Sequence, residues 1–144
     1  MWDEKEIIGR IDGRKNMKTF AFIMSHVPTA EQITAASEGG REVVQVNDKK
    51  LLIVPDDANL GRDWFVQRAE EIALAVGGFS AGDVAHIMGQ AQLASAVQAL
   101  ARQAGAELVE SVTPRVSKDI PQPDGTVKKE FIFTFKGFRL VHSY

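Results

Sequence analysis

Two short stretches carry the residues best suited to chemistry. Ser25-His26 follows the apolar run Lys18 to Met24 and precedes Val27-Pro28-Thr29. A serine hydroxyl can donate to a phosphate oxygen, and an imidazole moves a proton near neutral pH. Gly89-Gln90 follows a second apolar run, Asp83 to Met88 (DVAHIM), and opens a helical pattern. A glycine there admits a ligand to the backbone, and the free amides and dipole of a helix start favour an anion. Each stretch also has a plainer reading. Ser25 and His26 can serve only to cap the helix that begins near Thr29, and Gly89 can be an ordinary strand-to-helix turn. A single glycine is neither a GxGxxG nor a P-loop.

Arg115 and Lys118 lead a basic C-terminal third that also holds Lys128, Lys129, Lys136 and Arg139. Cations at the head of the last strands can hold phosphates. Lys128 and Lys129 read more simply as solvated guards against edge-to-edge pairing. His86 lies among apolar residues and reads as a satisfied core or interface histidine. His142 is near the tail and is assigned nothing. Trp64 and Phe65 head a helix and read as core, with stacking on a nucleobase as the alternative. Asp56, Asp57 and Asp63 lack metal-ligand spacing and read as a solvated acidic loop.

These residues need elements to position them. The Lys18–Met24 run suits a strand buried on both faces. Thr29 with Gln32 three positions on is a capping-box pattern for a helix to about Ser37, stopped by Gly39-Gly40. Glu42 to Val46 is a second strand, Asn47-Asp48 a turn, and Leu51 to Val54 a short extra strand. Pro55 to Asn59 is a loop. Trp64, Phe65, Arg68, Ala69, Ile72, Ala73 and Val76 follow helical spacing, which gives a helix over Arg62 to Val76. Asp83 to Met88 is a buried strand, and Gln90 to Gln103 is a helix with Gly105 at its end. Glu107 to Val116 reads as a strand, Pro123-Asp124-Gly125 as a turn, and Val127 to Val141 as a long hairpin partner.

Strands alternating with helices imply an α/β, Rossmann-like, three-layer fold with a mainly parallel sheet, closed by a C-terminal antiparallel hairpin at the edge. In such sheets ligands bind outside the carboxyl ends of the strands, at the switch point. That rule selects Ser25 to Thr29, Pro55 to Asn59, Gly89 to Gln92, and Thr113 to Lys118.

Length and composition bound the rest. A chain of 144 residues fits one domain, here 17–144, preceded by an N-terminal extension over 1–16. In that extension Ile7, Ile8 and Ile11 suit an edge strand or a short amphipathic turn, with Asp12-Gly13 as a turn. At this size roughly 68–70% of the unfolded surface is buried, enough for a core without staples. With no cysteine, a disulfide framework and a thiolate zinc site are excluded, and three histidines argue against a His-rich metal site. A net charge of −2 is not the footprint of a general DNA or RNA binder. The charged start MWDEKEIIGRIDGRKN lacks the apolar core of a signal peptide, and no apolar run reaches membrane-spanning length. The expectation is a cytoplasmic protein with no cofactor, no metal, no DNA partner and no membrane contact.

The segment FAFIMSHVPTAEQ (Phe20 to Gln32) resembles the opening of small stand-alone Rossmann-like proteins of type III CRISPR systems, those grouped with the ring nucleases. Their first strand ends in a Ser-His pair followed by a Thr-x-x-Gln helix start. The ending DGTVKKEFIFTFKGFRLV (Asp124 to Val141) is similar to that family's DGT turn, basic hairpin and terminal Phe-x-x-Phe-Arg element. The stretch from His86 to Arg115 matches in layout. The resemblance spans about residues 18–141, while residues 38–60 depart from the pattern and the first 16 look like an addition.

The resemblance implies a CARF-like domain acting as a homodimer on a cyclic oligoadenylate, above all cyclic tetra-adenylate. It implies either metal-independent cleavage or sequestration of the ring. His26, Arg115 and Lys118 would be the catalytic set. Ser25, Thr29, Asn59, Gly89, Gln90 and Gln92 would bind the ligand. Helix starts at Thr29 and Gln90 would supply amide donors without net positive charge. Three functions thus compete: a ring nuclease, a non-catalytic sponge or sensor, and a small nucleotide-binding or adaptor protein unrelated to CRISPR signalling.

Overall fold

A computed structural model of the chain describes residues 17–144. The expected extension over 1–16, with its Ile7, Ile8 and Ile11, lies outside the described residues. The chain order is β1 (Thr19–Ile23), α1 (Ala30–Ser37), β2 (Glu42–Val46), α2 (Lys49–Leu52), α3 (Arg62–Val76), β3 (Val84–Ile87), α4 (Ala91–Gln103), β4 (Glu107–Val112), β5 (Arg115–Pro121), β6 (Val127–Phe133) and β7 (Gly137–Leu140). The main sheet runs β2-β1-β3-β4-β7. Its first four strands are parallel and β7 lies antiparallel to β4, so the α/β, mainly parallel architecture holds.

The wholly buried strand β1 sits in the middle because both of its faces are apolar. Alternate residues face opposite layers. Ala21 and Ile23 join Phe65, Ala69, Ile72 and Val76 of α3 and Leu93 and Val97 of α4. Phe20, Phe22 and Met24 pack on the other face with Ala36 of α1, Val84 and Phe138. Asp83, itself buried, ties the starts of β1 and β3 together: its carboxylate accepts the Thr19 amide at 2.9 Å and the Ser80 amide at 2.8 Å.

Three expectations need correction. Leu51 to Val54 is not a strand. Asp48 accepts the Lys50 amide at 2.9 Å and starts the one-turn helix α2, which Ile53 ends in an extended conformation. The strand expected to run from Glu107 to Val116 divides at Thr113-Pro114 into β4 and β5. Proline has no amide to continue the ladder. The long hairpin partner likewise divides into β6 and β7. As a result β5 and β6 form a separate two-stranded arm, and the antiparallel edge of the main sheet is β7 alone.

The arm leaves the sheet at the carboxyl end of β4. Its turn is built by Asp124, whose carboxylate accepts the Thr126 amide at 2.9 Å and hydroxyl at 2.6 Å, and by Gly125 at φ 85°. Those two bonds hold the Asp124 carboxyl below the usual range, the hydroxyl contributing most. Among the described residues no helix is long and apolar enough to cross a membrane.

Candidate functional site

The chain steps from β1 to β2 on one side and then crosses back to place β3 on the other side of β1. The switch point therefore lies between β1 and β3, and the segments leaving those two strands diverge around a crevice. A hollow of about 450 Å³ occupies it, lined by Ser25, His26, Leu52, Ile53, Val54, Met88, Gly89 and Gln90. Two segments more than sixty residues apart thus meet at one place.

Strand pairing sets their position. The Met88 amide donates to Ile23 O at 2.9 Å, which extends the β1–β3 ladder to the lip of the hollow. Gly89 follows at φ 147°, a conformation that L side chains rarely adopt, with open space where a Cβ would stand. Gln90 caps α4 with its own side chain, whose Oε1 accepts the Leu93 amide at 2.9 Å. One amide of the helix start is therefore taken, while those of Ala91 and Gln92 have no preceding helical carbonyl to reach.

At the first lip, Thr29 and Gln32 form the expected capping box. The Thr29 amide donates to Gln32 Oε1 at 2.8 Å and the Gln32 amide to Thr29 Oγ1 at 3.2 Å. Both amides are consumed internally, so the start of α1 offers a ligand less than its sequence suggests. Ser25 and His26 precede the cap and stand exposed at the mouth. His26 is the one titratable side chain among the lining residues.

The remaining wall is apolar and comes from α2 and the turn after it. Arg68 of α3 fixes that wall by donating to the carbonyls of Lys50 at 2.7 Å and Leu51 at 2.9 Å. The guanidinium also pairs with Glu71 at 3.1 Å and lies 4.9 Å from the centroid of the Trp64 ring. Trp64 meets Phe65 edge-on. Ile53 and Met88 keep 65% and 46% of their surface exposed, so the hollow has an apolar rim available to a flat ring.

The structure brings Ser25, His26, Gly89 and Gln90 together. Thr29 is spent on its cap, and Asn59 stands in the loop before α3, its amide donating to Asp57 Oδ1 at 2.9 Å. Gln92 lines a different groove, between α3 and α4, with Phe65 and Ala99. Arg115 begins the arm with its guanidinium 3.5 Å above the Phe131 ring, and Lys118 faces Glu130 across the arm. Neither lines the hollow within one chain.

Sequence reading missed the apolar wall and a part-buried polar chain beneath the first lip. Ser111 Oγ lies 2.7 Å from His86 Nε2 and accepts from Gln32 Nε2 at 3.0 Å. His86 is 2% exposed, set between the rings of Phe22 and Phe138, and its Nδ1 has no hydrogen-bond partner. Burial pushes its pKa below the ordinary imidazole value; its own carbonyl opposes that, His26 reinforces it, and Glu110 opposes it. Residues 32, 86 and 111 belong to three elements, and no local spacing announces their meeting.

The family model described as "Uncharacterized protein MJ1673 family" matches residues 18–139. No curated protein and no solved structure matches the chain.

Proposed function

We propose that this chain, which belongs to the MJ1673 family over residues 18–139, binds a cyclic oligoadenylate in the hollow between β1 and β3 and cleaves it. Cyclic tetra-adenylate is the preferred ring. One observation carries the reading. The Ser25-His26 turn and the Gly89-Gln90 turn share a single hollow at the switch point. Its polar lip suits phosphate, and its apolar wall of Leu52, Ile53, Val54 and Met88 suits the face of a purine.

Cleavage needs no metal in this scheme. The ribose 2′-oxygen attacks the adjacent phosphorus, the bond to the 5′-oxygen breaks, and a 2′,3′-cyclic phosphate remains. The 2′-hydroxyl proton leaves to a base and the departing 5′-oxygen gains a proton. His26 is the group in the lining able to exchange it. Alignment of the attacking oxygen is the larger contribution, and proton transfer adds about 10²–10⁴-fold. Ser25 and the amides after Gly89 hold the phosphoryl oxygens.

A homodimer completes the reading. The arm leaves Phe131 and Phe133 52% and 68% exposed, with Val116, Val127 and Ile132 also uncovered. An isolated two-stranded hairpin is marginal in water, and a second copy would cover this surface. Two-fold symmetry then presents each loop twice to the ring, with Arg115 and Lys118 meeting phosphates from the arms. The site is cytoplasmic in this scheme and serves to switch off type III CRISPR signalling.

One observation favours a second reading, a sponge or sensor without turnover. The cations Arg115 and Lys118 stand outside the lining of a single chain, which leaves His26 as its sole titratable group. Chromatography of cyclic tetra- and hexa-adenylate after incubation, with and without EDTA, separates the two. Linear products formed in EDTA support cleavage. Stoichiometric binding with an intact ring overturns it and selects the sponge.

A further inference from the structure

Helix α1 carries the Ser25-His26 turn at its start, yet it has little to hold it. Among the described residues it is the one helix on its face of the sheet, and it buries a single residue, Ala36. What anchors its first turn is polar. The Thr29 amide donates to Gln32 Oε1, and Gln32 Nε2 donates to Ser111 Oγ on β4. The Ser111 hydroxyl is then free to donate to His86 Nε2 on β3. This direction gives every oxygen its proton and places the ring proton of neutral His86 on Nδ1, the nitrogen without a partner. The reverse direction would ask Ser111 Oγ to accept twice and leave its own proton unassigned.

We propose that Gln32, Ser111 and His86 form a positioning relay that locks the start of α1, and with it His26, to the two strands beneath the hollow. Polar groups in an otherwise apolar layer are retained where they select one arrangement over its neighbours. Here the layer is Phe20, Phe22, Met24 and Phe138, and apolar contact alone would let α1 slide over it. The relay ends on β3, the strand that continues into Gly89, so both lips of the hollow are tied to one chain of hydrogen bonds. His86 is faced by His26 from the β1–α1 turn and by Glu110 of β4, which Arg139 of β7 pairs at 3.0 Å. Protonation of His86 would turn Nε2 into a donor and reverse the Ser111–His86 link, leaving Ser111 Oγ to accept from both neighbours.

The functional half of this proposal rests on the hollow being the ligand site; the positional half does not. The test therefore has two arms on the full chain. Imidazole and amide NMR spectra of Ser111→Ala and Gln32→Met are compared with the parent. Both variants should shift the His26 ring signals, and Ser111→Ala, which leaves the Thr29–Gln32 bond itself intact, should also speed exchange of the Thr29 amide. Ser111→Thr, which keeps the hydroxyl, should restore both. Unchanged His26 signals in both variants would overturn the relay, as would unchanged Thr29 exchange in Ser111→Ala or a loss of stability without a His26 shift. Gln32→Met keeps the test decisive if Ser111→Ala does not fold. In the second arm Ser111→Ala lowers kcat on cyclic tetra-adenylate by about 10²-fold with little change in Kd, the signature of misalignment. A parent that binds no ring sinks the ligand reading and leaves the outcome of the NMR arm intact.

Discussion

Ser111 Oγ and His86 Nε2 lie 2.7 Å apart beneath the sheet's carboxyl edge, on adjacent parallel strands. The pair sits beside an apolar layer rich in phenylalanine, which makes it sensitive to charge. Burial depresses the pKa of His86 below about 6.5, the ordinary imidazole value. As the pH falls through 6.5, the unfolded chain takes up a proton that the folded chain refuses. Stability from this group is thus complete above 6.5 and declines as the pH drops toward the folded value. Urea unfolding of the parent and of His86→Gln across pH 5 to 7.5 should show that extra acid sensitivity in the parent alone. Parallel curves would contradict it.

Gly89 joins β3 to α4 at φ 147°. Gly89→Ala meets no atom within contact distance, so its penalty is purely backbone strain, about 1–3 kcal/mol. The expected result is a lower urea midpoint together with weaker ligand binding, because the turn must shift to relieve φ. A neutral substitution would show that the conformation at 89 is not needed.

Thr29→Ala removes the side chain that accepts the Gln32 amide. The expected loss is about 1 kcal/mol of stability by chemical denaturation, the usual value of an N-cap. Exchange at Gln32 should also rise. A loss near zero would mean that the cap does not hold α1.

Phe131 and Phe133 share one face of the arm. Replacing both with serine should shift sedimentation from dimer to monomer and leave the fold intact, since neither belongs to a core cluster of the domain. A parent that is already monomeric at high concentration would contradict the dimer.

Much of the fold was legible where local chemistry is strong. The apolar run of β1, the Thr29–Gln32 box and the helical spacing from Arg62 to Val76 each announce themselves within a dozen residues. The failures have physical causes. Leu51 to Val54 is too short for its apolar residues to distinguish helix from strand, and the Asp48 cap decides the matter. Pro114 and the stretch Thr134 to Lys136 break strands whose composition continues smoothly on both sides. Of the site, the β1–β3 convergence follows from topology and was readable. Gln92 was not separable from Gln90 by loop position, although residues two apart on a helix do not share a face. The Gln32–Ser111–His86 chain depends on contacts across 79 and 25 positions and left no local trace.

Everything proposed for ligand chemistry depends on the hollow between β1 and β3 being where the ring sits. Amide chemical-shift mapping during titration with cyclic tetra-adenylate tests this directly. The predicted result is saturable shifts at Ser25, His26, Gly89 and Gln90, with the α3–α4 groove around Val66 and Ala99 unmoved. Shifts confined to that groove, or none at all, would contradict it.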